Sequence, residues 1–335
     1  MIVIIADDLS GAAELAGLAA ARGFQAEVQT DFDPTCRAEV IAVDTDTRLM
    51  PENEAKQVVH DLARRIAAAK PRWIYKKTDS ALRGHVSAEI ESILSATGLD
   101  DCLLIPANPS KGRIVREGAY LIDGVPLDQT VFAADPDHPR RSSSVRELLG
   151  ESDRIRTPDA CRMEDLPGSP GPFTLAAGAA DFFASLLPAG IATRRRIITT
   201  KSLLLSGSLA AWDQGRATEM QARGFLVKTL DEAVSTTVWQ DTDKLMLAIG
   251  RPARETGLAL TERLVAAALP LIADQRDLRI GLEGGATAMA FLRPFGWTRF
   301  EVIPEGHVGV GTLRPPGGPV LCVKPGSYPW PEECL

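Results

Sequence analysis

No Cys-x-x-Cys pair occurs in the 335-residue sequence, and its five cysteines, Cys36, Cys102, Cys161, Cys322 and Cys334, are widely scattered. An odd number of dispersed thiols supports neither structural zinc nor a disulfide framework, and fits a reducing cytoplasm. The four histidines, His60, His85, His138 and His307, do not cluster by spacing either, so a histidine metal site has little support. A basic excess is also missing. The formal net charge of -7 and pI near 5.3 argue against a nucleic-acid surface and against an anionic-membrane anchor. Long apolar runs are absent: the opening segment at 2–6 meets Asp7 and Asp8 at once, which suits neither a signal peptide nor a membrane span. There is no Walker-type Gly-Lys-Ser/Thr loop, and no Rossmann glycine fingerprint follows the first strand, which counts against a dehydrogenase.

What is present reads as α/β. The length suggests two domains, placed at 1–190 and 197–335 around a break and basic run at 188–196. Apolar runs at 2–6, 40–43, 73–75 and 103–105 each end in a polar turn, and helical patterns recur after them, including an amphipathic one at 54–69. Repeated strand, turn and helix predicts doubly wound, mostly parallel sheets with a cleft between the domains. Asp123-Gly124 predicts a hairpin turn, and 176–187 a helix. The second half repeats the rhythm, with strands at 203–205, 225–227, 244–249, 278–282 and 320–323 and a helix at 258–273.

Chemistry concentrates at strand exits. Lys76, Lys77, Thr78, Asp79, Ser80 and Arg83 crowd one strand-to-helix turn. Such a turn suits an anionic ligand, because crevices beyond strand carboxyl ends are where α/β sheets bind. Asp79 or Ser80 as a plain helix cap is the bland alternative, but a cap needs one polar residue and this turn supplies six. Of Asp7 and Asp8, one is expected to cap the first helix and the other to serve a hydroxyl or Mg2+. Asp44 to Arg48 form another polar exit. In the second half, Ser206-Gly207-Ser208 follows a strand, and Gly284-Gly285 with Thr287 starts a helix where backbone donors can meet a phosphate.

With these residues assembled, the sequence resembles the four-carbon acid sugar kinases, nearly end to end. Ala6-Asp7-Asp8-Leu9-Ser10-Gly11-Ala12 is similar to the family's opening, and Val43 to Arg48 to its Asp-Thr-x-Ser-Arg segment. Lys77 to Gly84 resembles its most specific block, and Pro106 to Arg113, Ser206-Gly207-Ser208, Gly284 to Ala288 and Lys324-Pro325-Gly326 continue the likeness. The resemblance implies an acid-sugar-binding first domain, a nucleotide-binding second domain, and phosphoryl transfer between them with ATP and Mg2+. The substrate residues would be Asp7, Asp8, Arg48, Lys77, Asp79, Ser80 and Arg83. Asp8 or Asp79 would serve the hydroxyl, and Arg83 with Lys77 the substrate carboxylate or the phosphoryl group. Ser206, Gly207, Ser208, Gly284, Gly285, Thr287, Lys324 and Gly326 would hold the nucleotide. No metal ligands are assigned, and a homo-oligomer is left open. The family usually carries Asp where Ala286 stands and Ser and Phe-Gly near Pro325 and Ser327, and the chain is shorter than typical members. These departures motivate a competing reading: a sugar-acid-binding or regulatory protein with a degenerate nucleotide site.

Overall fold

The computed structural model describes the chain except for residues 136–137, 170, 172–173, 189, 191–193, 233–235, 252–256, 273–276, 308 and 327. The first half supplies β1 (Ile2–Ala6), β2 (Ala26–Gln29), β3 (Val40–Asp44), β4 (Trp73–Lys77) and β5 (Asp101–Ile105). Next come β6 (Arg113–Arg116), β7 (Ala119–Ile122) and β8 (Val125–Pro126), which form a separate antiparallel sheet, and then β9 (Ile155–Arg156) and β10 (Thr174–Gly178). The second half supplies β11 (Lys201–Ser206), β12 (Leu226–Thr229), β13 (Lys244–Ala248), β14 (Leu278–Glu283), β15 (Arg299–Ile303), β16 (Gly311–Arg314) and β17 (Val320–Lys324). Helices α1 (Leu9–Ala21), α2 (Glu52–Ala68), α3 (Val86–Thr97), α4 (Val145–Leu149) and α5 (Ala180–Leu186) belong to the first half. The second carries α6 (Leu209–Asp213), α7 (Arg216–Ala222), α8 (Thr236–Gln240), α9 (Gly257–Ile272) and α10 (Gly285–Leu292). None of the described helices is long and apolar enough to cross a membrane.

The strands outside the small sheet join in one 14-stranded sheet, ordered β12-β13-β11-β14-β17-β16-β15-β2-β3-β1-β4-β10-β5-β9. The expected strand-and-helix repetition is there, but the two anticipated sheets run into one, because β15 pairs antiparallel with β2, Arg299 opposite Gln29 and Glu301 opposite Glu27. Register sets the position of the chemistry. β1 pairs parallel with β3 and β4 so that Ala6 lies level with both Asp44 and Lys77, and the three polar exits fall side by side. Likewise Ser206, Glu283 and Lys324 are level across β11, β14 and β17. The antiparallel steps reverse strand direction between the halves, and in a flat sheet these exits would point to opposite edges. Five pairings separate β17 from β1, and at roughly 20–25° of twist each the accumulated rotation of about 100–125° swings the two sets of exits towards each other.

Helix α1 seals the junction. Its sequence, Leu-Ser-Gly-Ala-Ala-Glu-Leu-Ala-Gly-Leu-Ala-Ala-Ala, is small and largely buried, and it packs on β2 and β3 of one half and on β16, β17 and α10 of the other. A Cβ on Gly311 would lie 2.5 Å from that of Ala13, so β16 and α1 approach as closely as they do only because a glycine faces an alanine. The helix expected at 176–187 begins later, at Ala180, because Thr174–Gly178 is a strand between β4 and β5. Small residues that read as helical serve here to fit a central strand, and Gly178 has φ +148 with no room for a Cβ against the Ile105 carbonyl.

Candidate functional site

Both sets of exits open into one cleft of about 590 Å³. On the first-half side Arg48 is the hub. Its Nε and Nη2 donate to the two oxygens of Asp7 at 2.8 and 2.9 Å, and Nη1 donates to Asp8 Oδ2 at 2.7 Å. Asp8 is the residue that caps α1: Oδ1 accepts from the Gly11 amide at 2.8 Å and Oδ2 from Ser10 Oγ at 2.7 Å. Asp79 accepts from Arg83 Nε at 3.0 Å and Nη2 at 2.9 Å and from the Ala81 amide at 2.8 Å, while Arg83 Nη1 donates to Asp135 at 3.0 Å. Asp79 thus closes its own turn and clamps Arg83. It is not the cap of α3, where His85 stands. Lys77 Nζ donates to the Thr78 carbonyl at 2.8 Å and lies 3.6 Å from Glu14 Oε2.

On the second-half side three turns interlock. The start of α10 (Gly284, Gly285, Ala286, Thr287), the turn Gly207-Ser208 and Pro325-Gly326 line the cleft together. Glycines are required for this fit. A Cβ on Gly207 would meet the Thr287 side chain, and one on Gly326 would lie 2.6 Å from Ser208 Oγ. A Cβ on Gly285 would lie 3.0 Å from Asp8 Cγ, so the two halves touch at this point.

Of the residues expected at the site, Asp8, Arg48, Lys77, Asp79, Ser80, Arg83, Gly207, Ser208, Gly284, Gly285, Thr287 and Gly326 line the cleft, and Asp7, Ser206 and Lys324 stand behind it. Lys324 is fully buried, donating to the Pro325 and Tyr328 carbonyls at 2.8 and 2.6 Å and lying 2.7 Å from Glu283 Oε1; burial, against the pull of Glu283, brings it down to about 8. Ser206 Oγ donates to the other Glu283 oxygen at 2.6 Å. Burial would push Asp79 up, but the guanidiniums of Arg83 and Arg48 win and hold it well below the usual carboxylate range. Asp7 is held down in the same sense, with burial opposed first by Arg48 and then by Lys76. Burial opposes the charge on Arg48, yet Asp7, Asp8 and Asp79 keep it well above its ordinary value.

Several cleft residues were not singled out from the sequence. Glu14 sits one turn into α1, Glu283 ends β14, and Phe132, Asp135 and Tyr328 arrive from distant loops. Phe132 stacks beneath Arg83, its ring centroid 5.4 Å from the guanidinium. His85 and His138, far apart in sequence, meet edge to face with ring centroids 6.0 Å apart, and pair with the Met50 and Arg48 carbonyls at 2.7 and 2.9 Å. They brace the loop that carries Arg48. No spacing rule reveals such a contact.

A family model described as a sugar-binding N-terminal domain matches residues 2–202, more than half of the chain. The chain belongs to this sugar-binding family. The matched span covers every first-half residue of the cleft named above, from Asp8 to Asp135. The chain is 32% identical to a D-threonate kinase of Salmonella typhimurium over 157 residues, 46% of this chain and 37% of that protein. It is 36% identical to a D-erythronate kinase of Heliobacterium modesticaldum over 154 residues, 44% of this chain and 35% of that one. A 3-oxo-tetronate kinase of Brucella melitensis is 27% identical over 172 residues, 46% of this chain and 37% of that protein. The chain therefore spans well under half the length of these curated relatives. Solved structures extend the fold likeness further. A Haemophilus influenzae protein matches with a TM-score of 0.71 at 16% identity, covering 98% of this chain and 97% of that one. A Bordetella bronchiseptica domain of unknown function, a domain-swapped dimer with bound citrate, matches with a TM-score of 0.52 at 26% identity, covering 98% and 94%.

Proposed function

We propose that the chain is an ATP-dependent kinase that phosphorylates a hydroxyl of a four-carbon acid sugar, a tetronate or 3-oxo-tetronate. The observation that carries this reading is the single cleft in which the charged turns around Asp8, Arg48, Lys77 and Arg83 face the glycine turns at 207, 284–285 and 326. Phosphoryl transfer needs little covalent help from a protein. It needs alignment and charge neutralisation, and this cleft offers both. The named activities of the tetronate and erythronate kinases, and the citrate bound to the Bordetella protein, point to a hydroxy acid as the acceptor.

In this reading the first half holds the acid sugar and the second the nucleotide, whose phosphates meet the amides at the start of α10. Asp79, held so low, is a poor proton acceptor and acts by fixing Arg83. Asp8 stands where the halves meet and takes the hydroxyl, as positioner or base. The described residues contain no group of three or more metal-ligating side chains, and the Asp8 and Asp79 carboxylates already accept from Arg48 or Arg83. That donor set fits an Mg2+ that arrives on the nucleotide and keeps most of its waters, with Asp8 and Asp46 the acids it would meet. Bound there, it would neutralise charge on the phosphate oxygens. By analogy with the Bordetella dimer, we assign a homo-oligomeric state to the chain in solution.

Ala286 lines the cleft where an acid is usual, which favours, as a second reading, a binding protein with a weakened nucleotide site. One pair of experiments separates the two. ADP release is followed over a panel of tetronates and 3-oxo-tetronates with and without Mg2+, and Mg-ATP is titrated calorimetrically. Mg2+-dependent ADP release with one of the acids is expected. Acid binding with neither nucleotide binding nor ADP release would sink the kinase and leave the binder.

A further inference from the structure

The cations of the main cleft are largely matched by resident acids: Arg48 by Asp7 and Asp8, Arg83 by Asp79 and Asp135. A ligand carboxylate would have to compete with those. Beside the cleft lies a second cavity of about 150 Å³, between α1, the turn after β5, the start of α5 and the loop before β16. Glu14 lines both cavities. It is 93% buried by its 7% exposure, its Oε2 lies 3.6 Å from Lys77, and its buried Oε1 accepts no hydrogen bond among the described residues. In the same cavity stands Lys111, whose ammonium lies 3.8 Å from the centroid of the Tyr328 ring and has neither acceptor nor carboxylate partner among the described residues. Arg113 covers the same ring at 5.1 Å, and its guanidinium donates to the carbonyl and hydroxyl of Ser80. The other acid on the wall, Asp181, has both oxygens occupied by the amide and hydroxyl of Ser110. Burial lowers Lys111 from its ordinary value, with Glu14 opposing and Arg113 reinforcing the shift, so these groups feel one another.

A buried carboxylate oxygen without a donor is costly unless something completes it, and beside it in the same half-closed cavity stands the half-buried Lys111 ammonium, which has only water to accept from it. The complement is a molecule that offers a carboxylate to Lys111 and a hydroxyl to Glu14, which is a hydroxy acid. At about 30 Å³ per water, the space holds on the order of five waters, enough for the acid end of a four-carbon chain. We propose that this cavity is the carboxylate subsite of the acid sugar: Lys111 takes the acid, Glu14 takes the neighbouring hydroxyl, and the rest of the chain extends past Lys77 into the main cleft. The inference rests on the acid-sugar reading and moves the carboxylate from Arg83 to Lys111.

The test is calorimetric titration of the full chain with D-threonate, D-erythronate and the uncharged tetritol erythritol, without nucleotide, beside Mg-ATP titration and ADP release. Lys111→Met should weaken acid binding more than tenfold and leave Mg-ATP affinity unchanged, and Lys111→Arg should restore most of the loss. Should Lys111→Met melt far below the parent, Glu14→Gln carries the same comparison, with a several-fold loss of acid affinity expected at unchanged Mg-ATP affinity. Unaltered acid binding in a well-folded variant overturns the subsite, even if ADP release shows that the chain is a kinase. Lysine-dependent acid binding without ADP release leaves the subsite standing and removes the kinase. No acid binding to the parent chain overturns the subsite.

Discussion

Replacing Gly285 with alanine should be felt first in the other half of the chain. The new Cβ would lie 3.0 Å from Asp8 Cγ and 3.1 Å from Asp8 Cβ, closer than such atoms pack. Asp8 has little freedom to yield, because Gly11, Ser10 and Arg48 all donate to it within 2.8 Å. Displacing it forfeits a helix cap, about 1 kcal/mol, and weakens a hydrogen bond to a charged group, about 1.5–3 kcal/mol. Alanine at the helix start returns at most about 1 kcal/mol over glycine. The net destabilisation is then about 1.5–3 kcal/mol, nearly all of it expressed through Asp8. A double-mutant cycle reads this directly. In Asp8→Ala the obstacle is gone, so Gly285→Ala should cost almost nothing there, giving a coupling of about 2 kcal/mol in urea unfolding. Activity should fall for both substrates, because on the proposed reading the displaced carboxylate faces the acid and the displaced turn faces the nucleotide. If the two changes add to within about 0.5 kcal/mol, the halves do not meet at this contact and the reasoning fails.

Arg83→Ala should lower kcat/KM on the best acid roughly thirtyfold to thousandfold, and Arg83→Lys should recover little, since the two-pronged grip on Asp79 needs a guanidinium; full activity in either variant would remove Arg83 from the site. With 25% of its side chain exposed, its loss should also cost less stability than the ~3–5 kcal/mol of a fully buried pair. Asp79 supplies a pH signature. Its folded value lies well below the unfolded one near 3.9, so its stabilisation is fully present above about pH 5 and is lost as pH falls through the folded value. The stability gap between the parent and Asp79→Asn should therefore be flat from about pH 5 to 8 and shrink below about pH 4; a gap that widens in acid would reverse the assigned shift.

The parallel core was readable because apolar runs such as Ile2–Ala6 are buried on both faces and end abruptly in charge. The cleft was readable for the same reason: register brings successive polar exits level, so residues at strand ends become neighbours without any long-range signal. Strands β2, β15 and β16 escaped, and β10 was hidden by alanines and glycine that a helix would also accept. At Lys324, which the family likeness placed with the nucleotide, the structure shows an ammonium buried inside the sheet and paired with Glu283. Glu14 and Lys111 were missed for the opposite reason. Their interest lies in partners they lack, and sequence carries no sign of that.

The β2–β15 seam bears on whether either half is a unit in its own right. A fragment ending near residue 190 would leave β2 as an open edge, with unpaired amides and carbonyls, and would strip α1 of the glycine-faced strand that covers it. Bare sheet edges beside bare small-residue helices recruit other chains. The break expected at 188–196, which lies partly outside the described residues, is thus a poor place to cut: the two halves are neighbours on a shared sheet, each finishing the other's surface.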